Sequence, residues 1–215
     1  MNASDNSKCI LTGSDSTQEW LLPWWYTNVR KHMPHIPIVI ADFGLSESFK
    51  QKCKNIVQIL PVPRTTKLTW FMKPKAILDC PYKYTCWMDT DCEVKKPILD
   101  IFHYAKDEKL ALTPDPYSYR NKWAYWQTGV VVIKDKPKIL KDWTKRSLKG
   151  IDRGDQEALY SLIGNSSELV NEMPKEYQWL RLDLKYLGMN SEAKVIHWTG
   201  PRGKEKIRSF ILALD

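Results

Sequence analysis

The chain has 215 residues, of which 43% are hydrophobic and 27% charged, with a formal net charge of +8. That length suits one α/β domain and that balance excludes an intrinsically disordered chain, while no apolar run is long enough to cross a bilayer. Five cysteines, an odd number without a C-x-x-C pair, exclude a complete set of intrachain disulfides and argue against a zinc site.

Reduced thiols and the polar start MNASDNSKC, which has no apolar leader, lead to the expectation of a cytoplasmic protein. In chain order, Cys9–Thr12 reads as a first strand stopped by Gly13, and Thr17–Met33 as a helix capped by Ser16. Pro37–Ala41 is a second strand, Ser46–Cys53 a helix and Asn55–Pro61 a third strand. Leu68–Leu78 is a helix shifted by Pro74, and Tyr84–Met88 is a fourth, buried strand. Pro97–Tyr104 then reads as helix, Leu110–Thr113 and Tyr125–Lys134 as strands, and Pro137–Lys149 and Asp155–Ile163 as helices. Ala193–His197 closes the series as a strand, followed by a Gly200-Pro201-Arg202-Gly203 loop. This alternation predicts an α/β fold with a mainly parallel sheet flanked by helices, in one domain over residues 1–215 that could be the N-terminal part of a longer protein.

The chemistry concentrates at Asp89-Thr90-Asp91, where the fourth strand ends. Ligands of open α/β sheets bind beyond the carboxyl ends of strands. Two acids packed together there are costly unless a cation neutralises them. Oxygen ligands suit Mg²⁺ or Mn²⁺, which also bridge phosphate oxygens. The plain alternative is an acidic turn ahead of the helix at Pro97. The positive net charge favours an anionic partner without saying which.

Four collinear segments resemble the GT-A glycosyltransferases, most closely the retaining families 8 and 34: Trp87-Met88-Asp89-Thr90-Asp91, Trp126-Gln127-Thr128-Gly129-Val130, Gly154-Asp155-Gln156-Glu157, and Val195-Ile196-His197-Trp198-Thr199-Gly200. A fainter resemblance is to the glycosyltransferase modules of large algal viruses. The resemblance implies a GT-A fold, a nucleotide diphosphate sugar donor (uridine-linked), and a carbohydrate or glycoprotein acceptor. It implies Asp89, Asp91 and His197 as ligands of Mn²⁺ or Mg²⁺. Thr12, Gly13, Ser14 and Asp15 match the region holding base and ribose, although an ordinary strand-to-helix turn explains them equally well. Thr90, Gln127, Thr128 and Gly129 fall beside the donor, Gln127 replacing the usual asparagine.

Lys73 matches a basic residue that contacts the donor, with Lys75 as its rival. Gly200 would let the diphosphate approach closely. The family lysine three residues later is Gly203 here, so Lys204 is preferred to Arg202 for the phosphate contact. Asp155 and Gln156 are placed at the anomeric carbon. There Gln156 stabilises positive charge and Asp155 holds sugar hydroxyls, with nucleophilic attack as the alternative. Trp123, Tyr125, Trp126 and Trp198 are candidates for stacking on acceptor rings.

Two other readings compete. A sugar-nucleotide nucleotidyltransferase also uses acidic metal ligands, but no glycine-rich basic loop follows the first strand. A non-catalytic glycan- or RNA-binding module fits the charge, but the basic residues are dispersed and no aromatic RNA-binding motif is present, so no nucleic-acid partner is expected.

Overall fold

The structure is a computed structural model that describes residues 7–66, 68–115, 125–188 and 192–213. The strands are β1 (Lys8–Ser14), β2 (Ile38–Asp42), β3 (Gln58–Pro61), β4 (Tyr84–Met88), β5 (Cys92–Val94), β6 (Leu110–Pro114), β7 (Trp126–Lys134), β8 (Val170–Glu172), β9 (Trp179–Leu180) and β10 (Val195–His197). The helices are α1 (Leu22–His32), α2 (Glu47–Cys53), α3 (Lys73–Asp79), α4 (Lys138–Ser147), α5 (Asp155–Ile163), α6 (Arg181–Leu187) and α7 (Gly200–Leu212). Seven strands form one sheet in the order β3-β2-β1-β4-β7-β6-β8, and β5-β10-β9 form a second. In the large sheet only β7 runs against its neighbours; the other pairings are parallel. This is the α/β architecture expected from the alternation of strands and helices.

The central strands are apolar on both faces, which is why they read as continuous hydrophobic runs. Successive residues alternate between two cores. Leu11, Trp87, Val131 and Ile133 join Met72, Ile77, Leu140, Trp143 and Leu159 on the side of α3, α4 and α5. Ile10, Cys86, Met88, Val130 and Val132 join Trp25, Val29 and Ile101 on the other. No described helix is long and apolar enough to cross a membrane, and all five cysteines are free.

Several expected boundaries move. Gly13 does not stop β1, which continues to Ser14. A Cβ at Gly13 would lie 2.4 Å from the Phe43 ring and 3.0 Å from the Trp87 ring, so glycine there makes room for two packed aromatics. Ser16 does not cap the following helix. Asp15 closes a turn ahead of it, its Oδ1 accepting from the Thr17 N–H at 3.0 Å and hydroxyl at 2.6 Å, and a 3₁₀ turn at Glu19–Leu21 precedes α1, which has no side-chain cap. The expected helix at Leu68–Leu78 divides into a 3₁₀ turn (Thr69–Met72) and α3, with Pro74 in the first turn of α3, where its missing N–H costs nothing. The helix expected at Pro97–Tyr104 is a 3₁₀ segment over Leu99–Tyr104.

The Gly200-Pro-Arg-Gly203 segment is no loop but the first turn of α7. Gly200 takes φ +75°, and Gly203 is buried against the chain before it. A Cβ at Gly203 would stand 1.8 Å from the Trp198 carbonyl oxygen, a backbone atom that cannot turn aside. Gly203→Ala is therefore expected to lower stability by about 1–3 kcal/mol. Thermal unfolding checks this; a melting temperature equal to that of the parent chain would show that Trp198 and α7 separate freely.

Candidate active site

β7 runs antiparallel to β4, so its beginning lies at the edge where β1 and β4 end. The Asp89 N–H donates to the Gly129 carbonyl at 2.9 Å. The same edge receives the end of β6 at Pro114–Asp115 and, through β10 paired with β5, His197 opposite Cys92. A cleft of about 440 Å³ opens there, lined among others by Gly13, Ser14, Asp15, Lys73, Asp89, Thr90, Asp91, Asp155 and Lys204. It is the edge at which open α/β sheets bind ligands.

Lys73 holds the floor of this cleft. It is buried, and its ammonium lies 3.0 Å from Asp89 Oδ1, 2.9 Å from Asp155 Oδ2 and 3.0 Å from the Thr128 carbonyl oxygen. Burial opposes its charge, but Asp155 and then Asp89 outweigh that and hold the lysine well above its ordinary range. Asp89 Oδ1 also accepts from Trp87 Nε1 at 2.7 Å, and Asp155 Oδ2 from the Thr128 hydroxyl at 2.8 Å. Lys75, the rival, pairs with Asp79 on its own helix.

The second cluster joins Asp91 to His197. His197 Nε2 lies 3.0 Å from Asp91 Oδ1 and 3.6 Å from Asp89 Oδ2. Burial raises the Asp91 carboxyl, but His197 first and Lys204 later in order bring it below its usual value. Asp91, Cys92 and His197 place one ligand atom each within 4.8 Å of one another. Burial, with Asp89 and Asp91 nearby, pushes the Cys92 thiol well up, so it stays a thiol, and it points its Sγ to the Gly129 carbonyl at 3.9 Å. The oxygen donors beside the His197 imidazole are those of Asp91, at 3.0 Å, and of Asp89, at 3.6 Å. Neighbouring ligands of an octahedral ion with bonds of about 2.1 Å lie about 3 Å apart, as His197 Nε2 and Asp91 Oδ1 do, while Asp89 Oδ2 stands further off at 3.6 Å.

The expected residues divide into two groups. Gly13, Ser14, Asp15, Lys73, Asp89, Thr90, Asp91, Asp155 and Lys204 face the cleft. Thr12, Gln127 and Thr128 are buried behind it, and Gly129 is a glycine because a Cβ would come 2.3 Å from His197 Nδ1. Gln156 follows Asp155 on α5, and Gly200 starts α7. With Gly203 packed against Trp198, a lysine at that position is sterically excluded, and Lys204 is the basic residue of this turn in the cleft.

Of the expected stacking residues, Trp126 and Trp198 are packed inside, their indoles donating to the Ser166 carbonyl and to Glu93. Tyr125 packs edge-on against Trp126, and Trp123 lies outside the described residues. Among the described residues, the exposed aromatic lining the cleft is Trp70, 47% accessible. Asp42, which carries no expected role, closes a turn by accepting from the Gly44 and Leu45 N–H groups at 2.8 and 2.7 Å.

Sequence reading misses Asp115 and Gln178, both buried beside this edge. Asp115 resembles Asp89 in ending an apolar strand, and Gln178 is a lone amide within Tyr177-Gln178-Trp179-Leu180, all four buried. A polar residue in so apolar a run is the signal that would have found it.

Removing Lys73 leaves Asp89 and Asp155 close together without their shared counter-charge. Lys73→Met is expected to cost about 3 kcal/mol at neutral pH. Denaturant unfolding checks this, and an unchanged midpoint would mean that the lysine is dispensable to the fold.

No family model and no curated protein matches the sequence. Solved structures match its fold. The galactosyltransferase LgtC, solved with donor and acceptor sugar analogues, aligns with a TM-score of 0.64 at 15% identity over 93% of this chain and 95% of its own. The apo form of the glycosyltransferase GlyE of Streptococcus pneumoniae TIGR4 aligns at 0.68 and 12% identity, over 90% of this chain and 55% of its own. The bifunctional glycosyltransferase WbbM aligns at 0.67 and 13% identity, over 94% and 47%.

Proposed function

The chain has the GT-A fold of these glycosyltransferases, and from that premise we propose that it is itself a metal-dependent, retaining glycosyltransferase. On this reading it moves a sugar from a nucleotide diphosphate sugar, uridine-linked, to a carbohydrate or glycoprotein hydroxyl. The observation that carries the proposal is the convergence of Asp89, Asp91, Lys73, Asp155 and Lys204 on one strand-end cleft, with His197 packed behind Asp91.

Charge supports it. Among the residues lining that cleft, the acids include Asp15, Asp89, Asp91 and Asp155 and the bases Arg64, Lys73 and Lys204. Lys73 is already committed to two of the acids. A diphosphate entering such a site needs more positive charge than Lys204 and Arg64 supply. Asp89, Asp91 and His197 would hold a divalent cation, Mn²⁺ or Mg²⁺, which supplies charge to the leaving diphosphate. Lys204 meets the same phosphates from the first turn of α7.

Asp155 and Gln156 divide the work at the sugar. The ammonium of Lys73 at 2.9 Å draws charge from the Asp155 carboxylate and makes it a weak nucleophile, which suits it to holding sugar hydroxyls. Gln156, next on α5 and outside the residues lining the cleft, is in this reading the amide whose oxygen offsets the positive charge that develops at the anomeric carbon. In a front-face transfer the departing phosphate oxygen takes the acceptor proton, so no protein base is required. Gly13, Ser14 and Asp15 line the other end of the cleft, where base and ribose lie in this reading.

Incubation with a panel of UDP-sugars and Mn²⁺, measuring UDP release, tests the proposal. Release that depends on the cation and falls by at least about a hundredfold in Asp91→Ala is expected. Absence of turnover with every nucleotide sugar, cation present, contradicts it.

A further inference from the structure

Behind His197 the hydrogen-bond donors run in one direction. Asp115, Gln127, Gln178 and His197 are all buried, at 5%, 3%, 0% and 7% exposure. Gln127 turns its amide nitrogen to Asp115 Oδ2 and its oxygen the other way. The Val130 N–H can only donate, and it donates to Gln178 Oε1 at 2.8 Å. Both hydrogens of the Gln178 amide therefore face the opposite side, where two acceptors wait: Gln127 Oε1 at 3.5 Å and His197 Nδ1 at 3.2 Å. A nitrogen that accepts carries no hydrogen. The neutral ring then has its hydrogen on Nε2, where Asp91 Oδ1 accepts it at 3.0 Å. Gly129 is shaped around this chain, since a Cβ there would come 2.7 Å from Gln178 Nε2 as well as meeting the ring.

We propose that Gln178 is a positioning residue that fixes His197 with its ring hydrogen on Nε2, so that a divalent cation gains that nitrogen only by displacing the hydrogen to Nδ1 and turning the Gln178 amide away. This rests on the cation site proposed above. The neutral ring keeps one hydrogen throughout; what changes is the nitrogen that bears it. Once Nδ1 bears the hydrogen, an amide hydrogen opposite it is repelled. The amide can turn only by giving up its Val130 and Gln127 contacts. Gln178 thereby links occupancy of the cation site to the setting of Gln127 on β7, 51 residues away in the chain.

Long-range ¹⁵N–¹H correlation spectra of the ¹⁵N-labelled chain read the ring directly, with the signals of His197 assigned against His197→Asn. In the cation-free protein, with the ring neutral, Nε2 is expected to carry the hydrogen and Nδ1 to be bare. Saturating Mg²⁺, which is diamagnetic, should move the hydrogen to Nδ1. Gln178→Glu keeps an acceptor for the Val130 N–H but presents a second acceptor to the ring. It should have Nδ1 protonated before any cation is added and bind Mn²⁺ about tenfold more tightly, equivalent to about 1.4 kcal/mol.

A protonated Nδ1 in the cation-free, neutral wild-type ring overturns the proposal, and that spectrum decides the matter even if the variant does not fold. So does a Gln178→Glu protein whose ring state and Mn²⁺ affinity equal those of the wild type. None of these readouts uses a donor sugar, so failure of the transfer reaction is told apart from failure here.

Discussion

The cleft depends on one buried ammonium. Lys73, at the start of α3, reaches across the sheet edge to Asp89 after β4 and Asp155 at the start of α5, and also bonds the β7 backbone at Thr128. Three elements that are distant in sequence are thus pinned to one point. Without that positive charge two carboxylates would face each other at the floor of the cleft, at a cost of about 3 kcal/mol. Because both acids are held in this way, their remaining oxygen atoms keep fixed directions, and a fixed direction is what a cation or a sugar hydroxyl requires.

Strand order supplies the rest. Reversal of β7 within an otherwise parallel sheet brings Gln127, Thr128 and Gly129 beside the ends of β1 and β4, where a seventh parallel strand would have sent them to the opposite edge. The small sheet then returns β10 against β5, so His197 arrives directly behind Asp91. Two glycines make this closure possible for steric reasons alone. Gly129 admits the imidazole and Gly203 admits the Trp198 carbonyl. In neither case is the glycine needed for an unusual backbone angle.

Much of this was legible in the sequence because it was carried by long periodic or apolar segments. β4 and α5 begin and end where the pattern places them, and Lys73, Asp89, Asp91, Asp155 and Lys204 meet in one cleft. What escaped was short or decided by tertiary contact. β8 and β9 have three and two residues, too few to show a period, so Gln178 between them went unseen. Gly13 and the Gly200–Gly203 segment read as breakers because glycine and proline usually are. Here aromatic packing at Gly13 and carbonyl contact at Gly203 overrule that expectation. The aromatic residues misled for a similar reason: Trp126 and Trp198 have polar edges suited to a cleft, but both indoles are packed inside and satisfied by the Ser166 carbonyl and by Glu93.

The central claim is that the cation and the diphosphate share one site, each supplying charge that the other needs. Thermodynamic linkage makes this measurable without any sugar or acceptor. Calorimetric titration of UDP into the chain, with and without saturating Mn²⁺, is the most direct measurement. The account predicts that Mn²⁺ tightens UDP binding and that UDP tightens Mn²⁺ binding by the same factor. UDP affinity indifferent to Mn²⁺ would contradict it.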